Sequence, residues 1–263
     1  VLAKLSLSQE TGTLQMDYSV RIGGWGFEFA NDIAVDSAGA IHLAGSTVST
    51  NFPLRNNIPA PRLPNANGIV MKLVPAGGSV GIAYSTLLNE SVFKIATDSQ
   101  NNAYTLSHGP PVSMVNPIPG VTPPAANTLA SHLSMLIHDN PSAAVRFGYS
   151  TYLPYQYATG LAVTPNGTAF VGGATPDYQT SPAAAVLKIV QSSPRVPAIE
   201  YTAVLGVRNS TGGIPSILYI RDLAAMADGG VLVGGSGDGP QATLNPVAGF
   251  GANFHTSEQT GFV

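Results

Sequence analysis

Side chains able to do chemistry are scarce in this chain. It has 14 acidic residues, five histidines and no cysteine in 263 residues. Carboxylates that share general acid and base work must meet in space. Glu28, Asp32, Asp222 and Asp238 are the acidic residues whose convergence in a central funnel would make a hydrolase or lyase. The histidines are His42, His108, His132, His138 and His255, and no two have the i, i+4 spacing of a helical zinc site. His132 and His138 share one face of an extended strand, but at about 3.3 Å per residue they stand roughly 20 Å apart, so a shared metal needs a bend. Without cysteine there is no thiolate metal site and no disulfide framework. Gly23-Gly24-Trp25-Gly26 lacks the Lys-Ser/Thr of a phosphate loop, and Gly235-Ser236-Gly237 lacks the spacing of a nucleophile elbow. Asp36 and Asp98 open turns, where a carboxylate accepts backbone N–H bonds. Calcium is the functional alternative there and at Asp238, because it takes clustered oxygens. The matching positions elsewhere hold Thr164 and Met226. The chain thus presents no catalytic set and no metal set, and calcium is the one cofactor with a candidate site.

The elements that carry these residues repeat. Residues 36–45, 98–107, 164–173 and 226–235 align without a gap, and each follows a short apolar run: Ile33-Ala34-Val35, Ile95-Ala96-Thr97, Leu161-Ala162-Val163 and Leu223-Ala224-Ala225. Strand, turn and strand predict a β-hairpin, with Gly39, Asn101, Gly167 and Gly229 at the position that needs positive φ. A second hairpin alternates with the first. Its first strand reads Ala3-Lys4-Leu5, Met71-Lys72-Leu73, Met135-Leu136-Ile137 and Leu187-Lys188-Ile189, and its second strand opens on Tyr18, Tyr84, Tyr149 and Tyr201. Two hairpins in series make a four-stranded antiparallel unit, and such units repeated about an axis make a propeller. The predicted fold is therefore all-β: a β-propeller of four-stranded blades, about four to five in this chain. The units are a half unit over 1–20, then 21–88, 89–153, 154–205 and 206–263. The array is either a small ring, closed by the amino-terminal hairpin beside Tyr219 in the last unit, or part of a longer repeat protein.

The phrases Phe29-Ala-Asn-Asp-Ile-Ala-Val-Asp-Ser-Ala-Gly39, Ala44-Gly-Ser-Thr47, Asn51-Phe-Pro53, Val70-Met-Lys-Leu73 and Tyr84-Ser-Thr-Leu-Leu88 resemble the bacterial seven-bladed-propeller repeat, often abbreviated SBBP. The resemblance covers most of the chain, most closely in its first copy. It implies a secreted or surface-displayed protein without a catalytic signature, and it implies a buried side chain at Phe29.

In such a unit the turns within hairpins lie on one side and the links between hairpins on the other. The links are long, at 47–67, 109–128 and 176–182, with connectors at 23–30 and 154–159, and long loops on a rigid scaffold commonly carry binding. Trp25, Phe27, Tyr155, Tyr157 and Tyr178 fall on that side. Exposed, they would stack on a glycan or anchor a protein partner; buried, they would fill gaps between units. The prolines of the links (Pro53, Pro59, Pro61 and Pro64; Pro110, Pro111, Pro117, Pro119, Pro123 and Pro124) either limit loop entropy and stray strand pairing or stiffen arms that pack on a neighbour.

Composition narrows the partners. Charged residues are 10% of the chain and the net charge is −3, so nothing points to nucleic acid, whose binding needs clustered cations. No apolar run reaches the roughly 18 residues of a membrane span. Low charge suits an extracellular or cell-surface protein and contact between like subunits. Asn89, Asn166 and Asn209 head glycosylation sequons that also read as turn residues. The expectation is a non-catalytic scaffold or binding module, with self-association within its scope; the alternative is a propeller hydrolase or lyase acting on carbohydrate or a related polymer.

Overall fold

The computed structural model describes residues 1–59, 67–109, 114–122, 129–155, 157–174, 184–193, 195–205, 217–238 and 260–262. Tyr178, Asn209 and His255 lie outside them, as do Pro61, Pro64, Pro110, Pro111, Pro123 and Pro124. Among the described residues the chain is all-β. The first sheet pairs β1 (Leu2–Leu7) with β2 (Leu14–Val20). The second holds β3 (Glu28–Val35), β4 (Ile41–Thr47), β5 (Asn67–Ala76) and β6 (Ser79–Leu88) in that order. The third repeats the pattern with β7 (Ser91–Thr97), β8 (Ala103–Gly109), β9 (Ala130–Ile137) and β10 (Arg146–Tyr152). The fourth holds β11 (Tyr157–Val163), β12 (Ala169–Ala174), β13 (Ala184–Ser193) and β14 (Val196–Leu205). The fifth has β15 (Ile217–Ala225), β16 (Val231–Asp238) and the short β17 (Thr260–Phe262). All pairings are antiparallel.

The four aligned turns close identically. Gly39, Asn101, Gly167 and Gly229 each donate to the carbonyl three residues back, at 2.9–3.1 Å, and all have φ between 62° and 86°. That conformation costs glycine and asparagine least. Every first strand carries a bulge at the same place, before Asp32, Lys94, Gly160 and Asp222. A bulge sharpens the local twist, so a shared bulge gives each sheet the same shape.

Core residues lie between consecutive sheets. Leu2 and Tyr18 pack on Leu43, Met71 and Leu73 across the first seam. Val70 and Tyr84 meet Ile95 and Leu136 across the second. Tyr149 and Leu133 meet Leu161 and Leu187 across the third, and Phe170 and Val186 meet Ile220 and Leu223 across the fourth. The first strands also lie side by side, β3 against β7, β7 against β11 and β11 against β15.

Three readings change. The third copy of the second hairpin aligns one residue earlier than Met135-Leu136-Ile137 suggests: Tyr149 pairs with Met135 as Tyr18, Tyr84 and Tyr201 pair with Lys4, Lys72 and Lys188, each with a bulge just before the tyrosine. Phe29 is 61% exposed, and Tyr157 and Tyr219 at the same repeat position are exposed as well, so the position is not a core position in this chain. The amino-terminal hairpin does not join the last unit. It forms its own sheet, buries Leu2 and Tyr18 on the second, and β17 takes part of the β16 edge. The Pro-rich links, where described, fold back on the outer strand of their own sheet. Arg55 exchanges both backbone bonds with Ser85, and Val115 does the same with Ser150. Asn56 and Asn116, both at positive φ, donate from their side chains to the carbonyls of Ala83 and Gly148. Ile58 and Ile118 donate from N–H to Thr86 and Thr151 hydroxyls. Each link thus caps an edge strand.

Burial at one repeated position sets a test. Leu161 is 6% exposed and its counterpart Ile33 is 50% exposed. Leu161→Ala is expected to cost about 2–5 kcal/mol in urea denaturation and Ile33→Ala no more than about 1; equal costs would mean that Ile33 is covered in solution.

Candidate binding surface

The connector before β3 is held by polar bonds rather than by packing. Glu28 Oε1 accepts from Gly24 N–H at 3.2 Å, from Thr47 Oγ1 at 3.0 Å and from Ser49 Oγ. Gly26 N–H donates to Ser49 Oγ at 2.7 Å and Trp25 N–H to Asn51 Oδ1 at 2.9 Å. Val48 N–H donates to Phe27 C=O at 3.0 Å, which extends the β3–β4 ladder by one bond. Gly24 is required here: a Cβ would stand 2.5 Å from Asn51 Oδ1 and 2.6 Å from Ser49 Cβ. Burial alone would raise the Glu28 carboxyl, but the bonds from Ser49, Gly24 and Thr47 outweigh it and hold it below its ordinary value.

With its polar atoms satisfied inward, the connector turns its rings outward. Trp25 is 89% exposed and Phe27 75%; Phe29 and Val48 are exposed beside them. Residues 27 and 29 are two apart in extended chain and project to the same side. Large apolar groups fixed on a rigid base and facing water form a contact surface. The other aromatic candidates lie elsewhere. Tyr155 is buried in the third seam with Tyr149 and Leu187. Tyr157 is partly exposed at the start of β11, its ring 4.9 Å from His108. The structure therefore brings Trp25 and Phe27 together and places Tyr155 and Tyr157 at a different seam.

The buried polar groups serve the scaffold. Asp36 Oδ1 accepts from Ala38 and Ala40 N–H, and Oδ2 lies 2.9 Å from His42 Nε2 and 2.8 Å from Lys72 Nζ. Asp98 repeats this with Gln100 and Asn102 N–H, the Asn102 amide and the Tyr104 hydroxyl. Thr164 Oγ1 accepts from Thr168 N–H in the third copy. Burial raises the Asp36 carboxyl, yet the bonds from Lys72, His42 and Ala40 bring it down to about 2. Burial pushes the His42 and His138 imidazoles below their ordinary value and the Tyr84 phenol well above its own.

Among the acidic residues of the first strands, Asp32 Oδ2 accepts from Ile95 N–H of the next sheet at 2.9 Å. Asp222 pairs with Lys94 at 2.9 Å, and the strand between them carries Gly160 at the matching position. Asp32 thus joins neighbouring sheets, and Asp222 reaches past the fourth sheet to the third. His132 and His138 go to different partners: His138 lies 5.2 Å from the Tyr84 ring, while His132 Nδ1 meets Glu90 Oε2 inside the protein. Glu90 is the counterpart of Glu28, and the repeat spacing was the signal that could have found their pairing roles. The Glu90–His132 pair was not legible, because it joins residues 42 apart in the chain. No group of three His, Asp or Glu fit to hold a metal occurs among the described residues, and no helix among them is long and apolar enough to cross a membrane.

No protein-family model matches the chain, and no curated protein matches it. The geometry above is what bears on function.

The buried groups predict acid sensitivity. His42 and His138 bind protons more readily unfolded than folded, so stability falls as pH drops below about 6.5. Asp36 is depressed, so its contribution is full above about pH 4 and is lost toward pH 2. Asp36→Asn is expected to cost about 2 kcal/mol at pH 7 and to flatten the lower part of that decline. Urea denaturation from pH 8 to pH 3 reads both; a wild-type stability that does not change with pH would contradict the assignment.

Proposed function

We propose that this chain is an extracellular, non-catalytic scaffold of the β-propeller type, and that it binds a glycan or a protein through Trp25 and Phe27 on the linking-loop side. The observation that carries the reading is the pair of rings held outward by the Glu28–Ser49–Asn51 network. The propeller reading is supported by four aligned units, a shared bulge and the side-by-side first strands. The extracellular reading rests on the low charge, the abundance of Gly, Ser, Thr and Asn, and the resemblance of the repeats. Carboxylates that a catalytic funnel would need are occupied: Asp32 by a backbone N–H and Asp222 by Lys94.

Trp25 is the single tryptophan of the chain, so it reports its own contacts. Its emission is expected to be that of a solvated indole and to shift blue on titration with soluble β- or α-linked glucan oligosaccharides or with polymeric cell-wall glycan. Phe27→Ala is expected to weaken binding by about 10-fold or more, as loss of an aromatic anchor does, with the melting curve unchanged. If no glycan moves the emission and a labelled surface extract binds Trp25→Ala as well as wild type, this surface is not the binding site.

The alternative, a hydrolase or lyase, draws on one observation: a buried Glu–His pair in which Nε2 of His132 has no hydrogen-bond partner. Such a pair is how a general base is oriented. Polysaccharide turnover by wild type that His132→Ala abolishes would favour it over the scaffold reading.

A further inference from the structure

The aromatic surface before β3 has a polar edge of fixed direction. Trp25 N–H donates to Asn51 Oδ1 at 2.9 Å. A donor demands the oxygen of an amide, so the nitrogen is the atom left over. Asn51 is exposed, and its Nδ2 has no partner among the described residues. Two N–H donors are thus held beside the indole by the backbone of the residue that displays it. Glu28 supplies the opposite function. Its Oε1 takes the bonds from Gly24, Thr47 and Ser49, while Oε2 accepts from none of the described residues. Gly23 leaves that oxygen room, since a Cβ there would stand 2.5 Å from it. One side chain that donates and one that accepts therefore flank residues 23–25.

Size and charge narrow what fits. Trp25, Phe27 and Phe29 together offer about 500 Å², less than the roughly 800 Å² that one partner of a standard protein–protein interface buries. Residues 23, 24 and 26 are glycines, so no neighbouring side chain stands beside the indole, and a flat group can lie on it. The Glu28 carboxylate and the Arg21 guanidinium that acts on it offset each other, so the edge has no net charge to draw an acidic or basic ligand. A pyranose has a face of C–H bonds, which the negative face of an aromatic ring attracts, and a rim of hydroxyls that both donate and accept.

We propose that the ligand of this surface is a neutral sugar, stacked on Trp25, with the Asn51 amide donating to one hydroxyl and Glu28 Oε2 accepting from another. The inference rests on the reading that Trp25 and Phe27 bind a partner; it names the class of that partner and the two side chains that select it. Asn51 then has two roles: its oxygen holds the connector and its nitrogen meets the sugar. Aspartate separates them. An oxygen remains for the Trp25 N–H, and the donors are gone.

The test is Trp25 emission, titrated with neutral oligosaccharides (fragments of glucan, mannan, galactan and chitin) and with acidic ones (fragments of polygalacturonate and hyaluronan). Acrylamide is expected to quench the indole of the free protein as it quenches a solvated one; a shielded indole overturns the proposal, because the chain itself then covers the ring. At least one neutral oligosaccharide is expected to shift the emission blue, and the acidic ones to leave it unchanged. Asn51→Asp is expected to weaken that binding about 5-fold or more, with the emission and melting curve of the free protein unchanged. Asn51→Ala is expected to shift the emission of the free protein as well, because the Trp25 N–H loses its acceptor. Undiminished binding by Asn51→Asp overturns the proposal and leaves the aromatic reading standing, which Phe27→Ala tests separately. A preference for acidic oligosaccharides also overturns it. If no sugar moves the emission, and wild type but not Trp25→Ala binds a protein of a surface extract, the sugar is replaced by a protein partner. If no sugar moves the emission and Trp25→Ala binds the extract as well as wild type, the aromatic reading falls and the proposal with it.

Discussion

The three four-stranded sheets of this protein are apolar on both faces, and that constraint governs the rest. A sheet with one wet face stands alone more easily; one with two dry faces needs a neighbour on each side. The chain meets the demand by stacking its units in order, the first three seams pairing the tyrosine-bearing face of one sheet with the leucine-bearing face of the next. Where no described strand lies over a face, ordinary core residues are exposed. Ile33, Leu5 and Tyr201 are not unusual side chains in unusual places. They are repeat residues that no described neighbour covers, and the contrast with Leu161, Leu73 and Tyr84 makes that readable.

Polar groups enter these seams only in company. Asp36 and Asp98 tie the hairpin turn to the strand that follows it, through His42 and Lys72 in one unit and through Asn102 and Tyr104 in the next. A buried carboxylate left alone is costly; one with several donors stiffens what surrounds it. The surface loop before β3 uses the same device near solvent, where Glu28 gathers two hydroxyls and a backbone N–H so that the rings are left for a partner.

Much of the fold was legible because the repeat was. Turn glycines, the alternating hairpins and the recurring tyrosine lead to four-stranded antiparallel sheets. The alignment of β9 was not legible, since Met135 stands where the other copies carry a lysine and the apolar run Met135-Leu136-Ile137 fits the pattern one residue out. Nor was the exposure of Phe29: the position falls before the bulge of the first strand, and Tyr157 and Tyr219 are exposed there too. Trp25 and Phe27 were legible as aromatic residues in a connector, but their shared display depends on Ser49 and Asn51, which lie more than twenty residues away. Tyr155 had the same signature and went inward, into the third seam with Tyr149 and Leu187. The links hid a repeat of their own. Arg55-Asn-Asn-Ile-Pro59 and Val115-Asn-Pro-Ile-Pro119 match at Asn, Ile and Pro, a signal too short to stand out beside the hairpins.

That short match has an evolutionary consequence. The asparagine and isoleucine of each link fasten it to the outer strand about midway along its length. Length and composition beyond that point can drift, by insertion or deletion, without loosening the sheet beneath. The clamp separates the part of each unit that must stay constant to stack from the part that is free to diversify, so a gene built from such units can vary its surface one loop at a time.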